Sequence, residues 1–263
     1  MPEGHALHRL ARRHQRRFAG SVVRVSSPQG RFADAALIDG LVLRRASAWG
    51  KHLFHHYDGG AIVHVHLGLY GTFREQPIPM APPVGAVRMR MLGAEYGTDL
   101  RGPTACDVID EAQESAILNR LGPDPLRSDA DPAFAWARIS KSRRAIGALL
   151  MDQAVLAGVG NVYRAELLFR HGIDPYRPGR DIGEDEFMQA WTDLVELMKV
   201  GVRRGRIIVI RPEDDHGASA YGPKRPRTYV YRRTGEPCRL CGTAVRAAEM
   251  EGRNLFWCPG CQV

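Results

Sequence analysis

The chain has 263 residues, 44% of them hydrophobic and 25% charged, which excludes a disordered composition and allows two domains or one large one. A formal net charge of +8, carried mostly by arginine, points to a polyanionic partner, with nucleic acid ahead of a membrane surface. No apolar run reaches the roughly 18 residues needed to span a bilayer, and no apolar signal-peptide core opens the chain, so the protein reads as cytoplasmic.

The first stretch with chemical content is Met1-Pro2-Glu3-Gly4. Clipping of Met1, usual before a small residue, would leave Pro2 with a free secondary amine beside the Glu3 carboxylate. An α-amino group titrates near pH ~7.8, well below lysine at ~10.4, so a useful fraction is unprotonated at neutral pH. Adding to an aldehyde carbon, that amine gives a cationic iminium without any cofactor. Residues 3–18 carry Leu7, Leu10, Ala11, His14 and Phe18 at helical spacing, with Gly20 as the stop. The amine is thus expected at a helix N-terminus, where the dipole disfavours its protonated form.

From 21 to 101 the pattern turns to short strands, at 22–25, 41–46, 52–57, 61–67, 88–92 and 95–98, with Asp58-Gly59-Gly60 as a hairpin turn. An all-β sandwich or barrel after the opening helix is the expectation. Gly50-Lys51-His52 puts a lysine at a strand start, and Leu67-Gly68-Leu69-Tyr70-Gly71 is an apolar tip between glycines. His52, His55, His56, His64 and His66 fall on alternate positions of paired strands, which scatters them over both faces and argues against a metal site. Residues 77–83 form a Pro-rich loop, and 120–132 read as a linker, which puts a boundary near 120.

Beyond it, helices are expected at 132–140, 143–153, 162–171 and 184–201; Phe187, Trp191, Leu194, Val195 and Met198 make the last one amphipathic and part of a core. Gly158 and Gly160 approach the third helix, with Asn161 as its expected N-cap. Backbone N–H groups presented there make an anion site. Arg203-Arg204-Gly205-Arg206 is a basic cluster, and 211–224 read as a mobile loop. Lys224-Arg225-Pro226-Arg227, Arg232 and Arg233 add charge, with Tyr229 and Tyr231 interleaved.

Cys238-x2-Cys241 and Cys258-x2-Cys261, sixteen residues apart, match a four-thiolate zinc ribbon. Four ligands leave no open position, so the zinc is expected to be structural. Arg253 lies at the tip of a hairpin between the two knuckles. Cys106 stands alone and is assigned no role.

Together these pieces resemble the formamidopyrimidine-DNA glycosylase and endonuclease VIII family of base-excision repair. The resemblance rests on Met1-Pro2-Glu3-Gly4, Gly50-Lys51-His52, Gly158-Val159-Gly160-Asn161-Val162-Tyr163 and the ribbon with Arg253 five residues before Cys258, in the family's order. It implies an α+β multidomain fold: an N-terminal helix with a β-sandwich catalytic domain (1–120), a helical domain with a helix–two-turns–helix motif (121–224) and a zinc finger (225–263).

It also implies a bifunctional glycosylase and lyase acting on a flipped-out nucleotide. Pro2 would attack C1′, expel the base and form the iminium, and elimination of the 3′ and then the 5′ phosphate would follow. Glu3 would shuttle protons, Lys51 would contact phosphate and assist elimination, Asn161 and Arg253 would clamp phosphates, and Arg253 would also assist the second elimination. Leu69 and Tyr70 at the tip are similar to the endonuclease VIII side, and the loop from Asp99 to Pro103 lacks a phenylalanine, so oxidised pyrimidines are the favoured substrates. Ala6 departs from the family's usual second glutamate. The alternatives are 8-oxoguanine, formamidopyrimidine or mainly abasic-site processing by the same fold, and a zinc-ribbon DNA-binding protein without catalysis. Damaged DNA is the expected partner (duplex, with single-stranded or bubble forms open), and the expected state is a monomer.

Overall fold

Leu7, Leu10, Ala11, His14 and Phe18 recur on one side of a helix, and α1 (Gly4–Phe18) buries all five. The structure, a computed structural model, describes residues 2–215 and 228–263. The chain divides into two compact units, Met1–Arg120 and Leu121–Val263.

In the first unit α1 is followed by β1 (Ser21–Val22), β2 (Arg24–Ser26), α2 (Ala35–Ile38), β3 (Val42–Trp49), β4 (His52–Tyr57), β5 (Ile62–His66), β6 (Thr72–Pro77), β7 (Val87–Leu92), β8 (Tyr96–Arg101), β9 (Ala105–Ile109) and α3 (Glu111–Leu118). They form two antiparallel sheets, ordered β1-β3-β4-β5-β9 and β2-β7-β8-β6. Leu43, Leu53, Val63 and Val65 of the first sheet, Val25, Met89, Met91 and Leu100 of the second, and Leu7 and Leu10 of α1 share one core. Each such side chain contributes roughly 1.5–3 kcal/mol by leaving water. Helix α1 packs on β3 and β4, and the turn joining those strands carries Gly50 and Lys51.

Among the apolar neighbours of α1 one position is polar. His14 is wholly buried, and its Nδ1 lies 2.9 Å from Nε2 of His55, also wholly buried. Its Nε2 stands 3.4 Å from the Glu75 carboxylate, which Arg13 and Arg17 also engage. Burial alone would raise the Glu75 carboxyl, but His14 and Arg13 outweigh it and bring it down to about 2.

In the second unit come α4 (Pro132–Ile139), α5 (Ile146–Leu149), α6 (Asn161–Arg170), α7 (Glu184–Arg204), β10 (Arg246–Met250) and β11 (Arg253–Trp257). Asp131 caps α4 by accepting from the Ala133 N–H at 2.9 Å. Phe187, Trp191, Leu194 and Met198 of α7 pack with Leu149, Tyr163 and Leu167, as the helical spacing implied. Glu166 on α6, fully buried, accepts backbone N–H bonds from Tyr229, Val230 and Tyr231 at 2.7–3.0 Å and ties that segment down.

The differences from the sequence reading have physical causes. β6, β9, α2 and α3 were not anticipated: charged or polar residues at Arg74, Glu75 and Gln76 in β6 and Asp107 in β9 mask the strand period, α2 is a single turn, and α3 carries no buried apolar residue to mark a face. The 120–132 segment is not a free linker. Pro123, Asp124 and Pro125 are buried, the Gly122 N–H donates to Gln153 O at 2.8 Å, and the Asp124 carboxylate accepts from the Leu126 N–H at 2.9 Å. The expected helix at 143–153 shrinks to Ile146–Leu149, because Ala145 bridges Pro178 and the Ile146 N–H donates to Arg177 O at 2.8 Å. Most of the loop read at 211–224 and the whole Lys224-Arg225-Pro226-Arg227 stretch lie outside the described residues; Pro212–Asp214 make a single 3-10 turn.

Candidate active site

In the first unit the site begins where α1 begins. Glu3 is the N-cap residue in extended conformation, and its carbonyl accepts the Ala6 N–H at 2.8 Å. Glu3 is 1% exposed, whereas Pro2 reaches partly into solvent. Behind them His5 is buried, and burial first, then Arg9 and His8, pushes its pKa down to about 4. His5 is therefore neutral at pH 7 and adds no charge beside the amine. Ala6 is half-buried against the core.

Lys51 sits in the β3–β4 turn, half-buried, and its charge reaches His52 and His66. His52 Nδ1 lies 2.8 Å from His64 Nε2, so one face of β4 and β5 carries His52, His64 and His66 together, while His55 points the other way to His14. Among the described residues these imidazoles form no group of three that could hold a metal ion. His66 is followed by the tip, from which Leu69 and Tyr70 project at 45% and 82% exposure.

In the second unit the glycine turn adopts φ +90 at Gly158, a conformation that disfavours any side chain. Gln153 braces it: Oε1 accepts the Gly158 N–H at 2.9 Å and Nε2 donates to Val159 O at 3.0 Å. The N-cap of α6 is Gly160, not Asn161. Asn161 is the first helical residue and turns its side chain toward the ribbon, where Nδ2 donates to Asn254 O at 2.8 Å. Arg164, one turn further along α6 and wholly buried, donates to Asn161 Oδ1 and, at 3.0 Å, to the same Asn254 O. Arg253, the residue before Asn254, opens β11 and is exposed. One buried guanidinium thus fixes both the asparagine and the strand that presents Arg253.

The four cysteine Sγ atoms lie within 4.8 Å of one another, with Cys238–Cys261 at 3.8 Å and Cys241–Cys258 at 3.5 Å. A tetrahedral site with Zn–S bonds of ~2.3 Å needs sulfur separations of about 3.8 Å, so the thiolates fit one structural zinc ion. Gln262, after the last cysteine, accepts the Cys258 N–H at 2.9 Å and donates to Ile173 O at 3.0 Å, joining the ribbon to the helical core.

Three known protein regions match this chain in order. Residues 1–103 match the formamidopyrimidine-DNA glycosylase N-terminal domain, 121–212 its H2TH domain, and 235–263 a zinc finger found in FPG and IleRS. Endonuclease 8 1 of Mycobacterium tuberculosis is 71% identical over 267 aligned residues, covering 100% of both chains. The formamidopyrimidine-DNA glycosylase of Thermus thermophilus is 32% identical, covering 100% of this chain and 98% of that one.

The chain belongs to the formamidopyrimidine-DNA glycosylase family.

The Lactococcus lactis Fpg in complex with abasic-site DNA superposes at a TM-score of 0.81, with 21% identity and 99% of each chain covered. MutM in complex with carbocyclic 8-oxo-G DNA gives 0.80 at 20% identity, covering 100% of each chain. This glycosylase therefore has the family's fold throughout, and it is a DNA glycosylase and abasic-site lyase of base-excision repair. Its similarity to an endonuclease 8 agrees with the side of the family that Leu69 and Tyr70 suggested. Arg164, Gln153 and Gln262 escaped the sequence reading. Arg164 had a signal, an arginine three residues after Asn161 and so on the same helical face; the other two had none.

Proposed function

We propose that this enzyme removes oxidised pyrimidines from damaged duplex DNA, through an iminium on Pro2, and then cleaves the strand by β,δ-elimination. In this reading the Pro2 nitrogen attacks C1′ and the glycosidic electron pair leaves with the base, which takes a proton through Glu3; the nitrogen then gives up its own proton, and its lone pair opens the C1′–O4′ bond, O4′ taking a proton, to leave the iminium at C1′. The iminium then withdraws electrons so that C2′ loses a proton and the 3′ phosphate departs. Loss of a second proton from C4′ expels the 5′ phosphate. Lys51 supports the first departing phosphate oxyanion, Arg253 the second, and Asn161 together with the Gly158–Gly160 turn contacts the backbone near the lesion.

The observation that carries the reading is the neighbourhood around Lys51. In the unit that holds Pro2 and the buried Glu3, the charge of Lys51 in the β3–β4 turn reaches the half-buried His66 at the end of β5, and the tip that follows His66 carries two exposed apolar side chains, Leu69 and Tyr70. Leu and Tyr offer apolar surface to fill the stack left by an everted base. We assign residues 1–120 to catalysis, 121–224 to the helix–two-turns–helix module and 225–263 to the zinc finger. Among the described residues no helix is long and apolar enough to cross a membrane, and we assign the enzyme to the cytoplasm as a monomer.

A panel of single-lesion duplexes tests the substrate class. Thymine glycol and dihydrouracil should be cut at least about tenfold faster than 8-oxoguanine, a discrimination of ~1.4 kcal/mol. Faster cutting of 8-oxoguanine would overturn the pyrimidine assignment. Ala6, in place of the family's second carboxylate, favours one second reading: an enzyme that mainly processes abasic sites. It predicts that abasic duplex is cut much faster than any duplex with a base lesion.

A further inference from the structure

The Leu69–Tyr70 tip is held more firmly than an exposed turn requires. It crosses from β5 in one sheet to β6 in the other. The Gly71 N–H closes it on Leu67 O at 2.9 Å, and Leu67 is itself buried in the core. At its front end the Gly68 N–H donates to His66 Nδ1 at 3.2 Å, and His66 O accepts the Thr104 N–H at 2.8 Å. His66 is kept neutral by burial and then by the Lys51 charge, so its Nδ1 stays an acceptor at pH 7.

The back wall is the 101–104 loop. Gly68 has φ +64, and a Cβ placed there would overlap Thr104 Oγ1 and fall 3.2 Å from Thr104 Cβ. A Cβ on Gly102 would meet Tyr70 O at 3.5 Å. The chain runs close on both sides of two side chains that face solvent. A large aromatic at 82% exposure on so constrained a turn is the arrangement of a preorganised binding element.

We infer that Thr104 is a positioning residue: with Gly68 it sets the angle and depth at which Leu69 and Tyr70 enter the DNA stack. The inference rests on the reading of those two residues as the inserted pair. A preset wedge meets the duplex already ordered, so its effect is on eversion of the damaged nucleotide and not on the chemistry at C1′.

The test uses the full-length zinc-loaded enzyme and three substrates: a thymine-glycol duplex, the same duplex with 2-aminopurine opposite an abasic analogue, and a single-stranded abasic oligonucleotide that needs no eversion. Gly68→Ala should lower kcat/KM on the lesion duplex at least about tenfold and reduce the 2-aminopurine response, because the new Cβ displaces the tip. Borohydride trapping on the single strand should stay within about twofold, since the reacting groups are untouched. Thr104→Ala by itself should also lower the lesion-duplex rate and the 2-aminopurine response, by at least about threefold, because the tip loses the side chain it rests against, while single-strand trapping stays within about twofold. If either Gly68→Ala or Thr104→Ala leaves the duplex rate and the fluorescence unchanged, the inference is wrong. Leu69→Ala and Tyr70→Ala separate the two layers. If they too leave the fluorescence unchanged, the inserted pair itself is misassigned; if they abolish it while Gly68→Ala does not, only the positioning role of Thr104 fails.

Discussion

Stripping the zinc should unfold residues 235–263 and lower affinity for abasic-site duplex roughly 100-fold, the loss of two charge-assisted or polar phosphate contacts at ~1.5 kcal/mol each. The reason lies in how little else holds the ribbon. β10 and β11 are a two-stranded hairpin of five residues each, and such a hairpin is marginal in water by itself. Zinc on four thiolates supplies on the order of 10 kcal/mol of folding free energy to a module of this kind. The damage extends beyond the ribbon. Asn254 O receives both Asn161 Nδ2 and the buried Arg164 guanidinium, and without it a fully buried cation loses a partner. Asn161 and Arg253 are therefore disordered together. Zinc release by a chelator, followed by hydrogen exchange over 246–257 and DNA titration, reads both effects. Cys241→Ser should reproduce them in part. Unchanged protection of β10 and β11 in the zinc-free protein would contradict a structural zinc.

Acid should destabilise the first unit well before it affects carboxylates. His5, His56 and His64 are pushed down to about 4 and His52 to about 3, with burial the largest cause in each. His14 and His55 are lowered too, by complete burial. Their folded values lie below the unfolded value near 6.5. The folded state therefore binds fewer protons, and its stability is full above about pH 6.5 and is lost as pH falls from there toward 4. One unit below the unfolded value each such group costs roughly 1.4 kcal/mol, and several together rival the 5–15 kcal/mol of a typical domain. His52 and His64 share a hydrogen bond, so their costs do not simply add. Urea midpoints of the first unit, followed by limited proteolysis, should drop steeply between pH 7.5 and 5.5. Replacing the pair by His14→Leu with His55→Leu should flatten part of that slope, because two titrating groups give way to apolar ones. A midpoint independent of pH over this range would contradict the account.

Much of the fold was legible because its signals are local. The helical spacing of Leu7, Leu10 and Phe18, the Asp58-Gly59-Gly60 turn and the Phe187–Met198 stripe each state their own structure within a few residues. The ribbon was legible for a different reason: four thiolates at that spacing have few other uses. What stayed hidden was decided by partners far along the chain. Asn161 reads as an N-cap until Asn254, ninety-three residues on, claims its amide. His14 reads as one more core position until His55 and Glu75 meet it. The His cluster reads as scattered over two faces, and it is, but pairing of β4 with β5 also brings His52, His64 and His66 together, two of them, His52 and His66, within reach of the Lys51 charge. Thr104 carries no pattern at all; only the fold brings it against Gly68.

The central claim is that the Pro2 nitrogen is the nucleophile, and borohydride trapping tests it most directly. Hydride adds to the iminium carbon and fixes the enzyme to the sugar. With abasic duplex DNA the enzyme whose Met1 has been removed should give a covalent adduct, and peptide mapping should find the reduced sugar on Pro2. The same protein with one residue retained ahead of Pro2 has an amide nitrogen there, which is not nucleophilic, and should give none. An adduct that persists in the blocked protein or maps to Lys51, or no adduct from the correctly processed enzyme, would contradict the account.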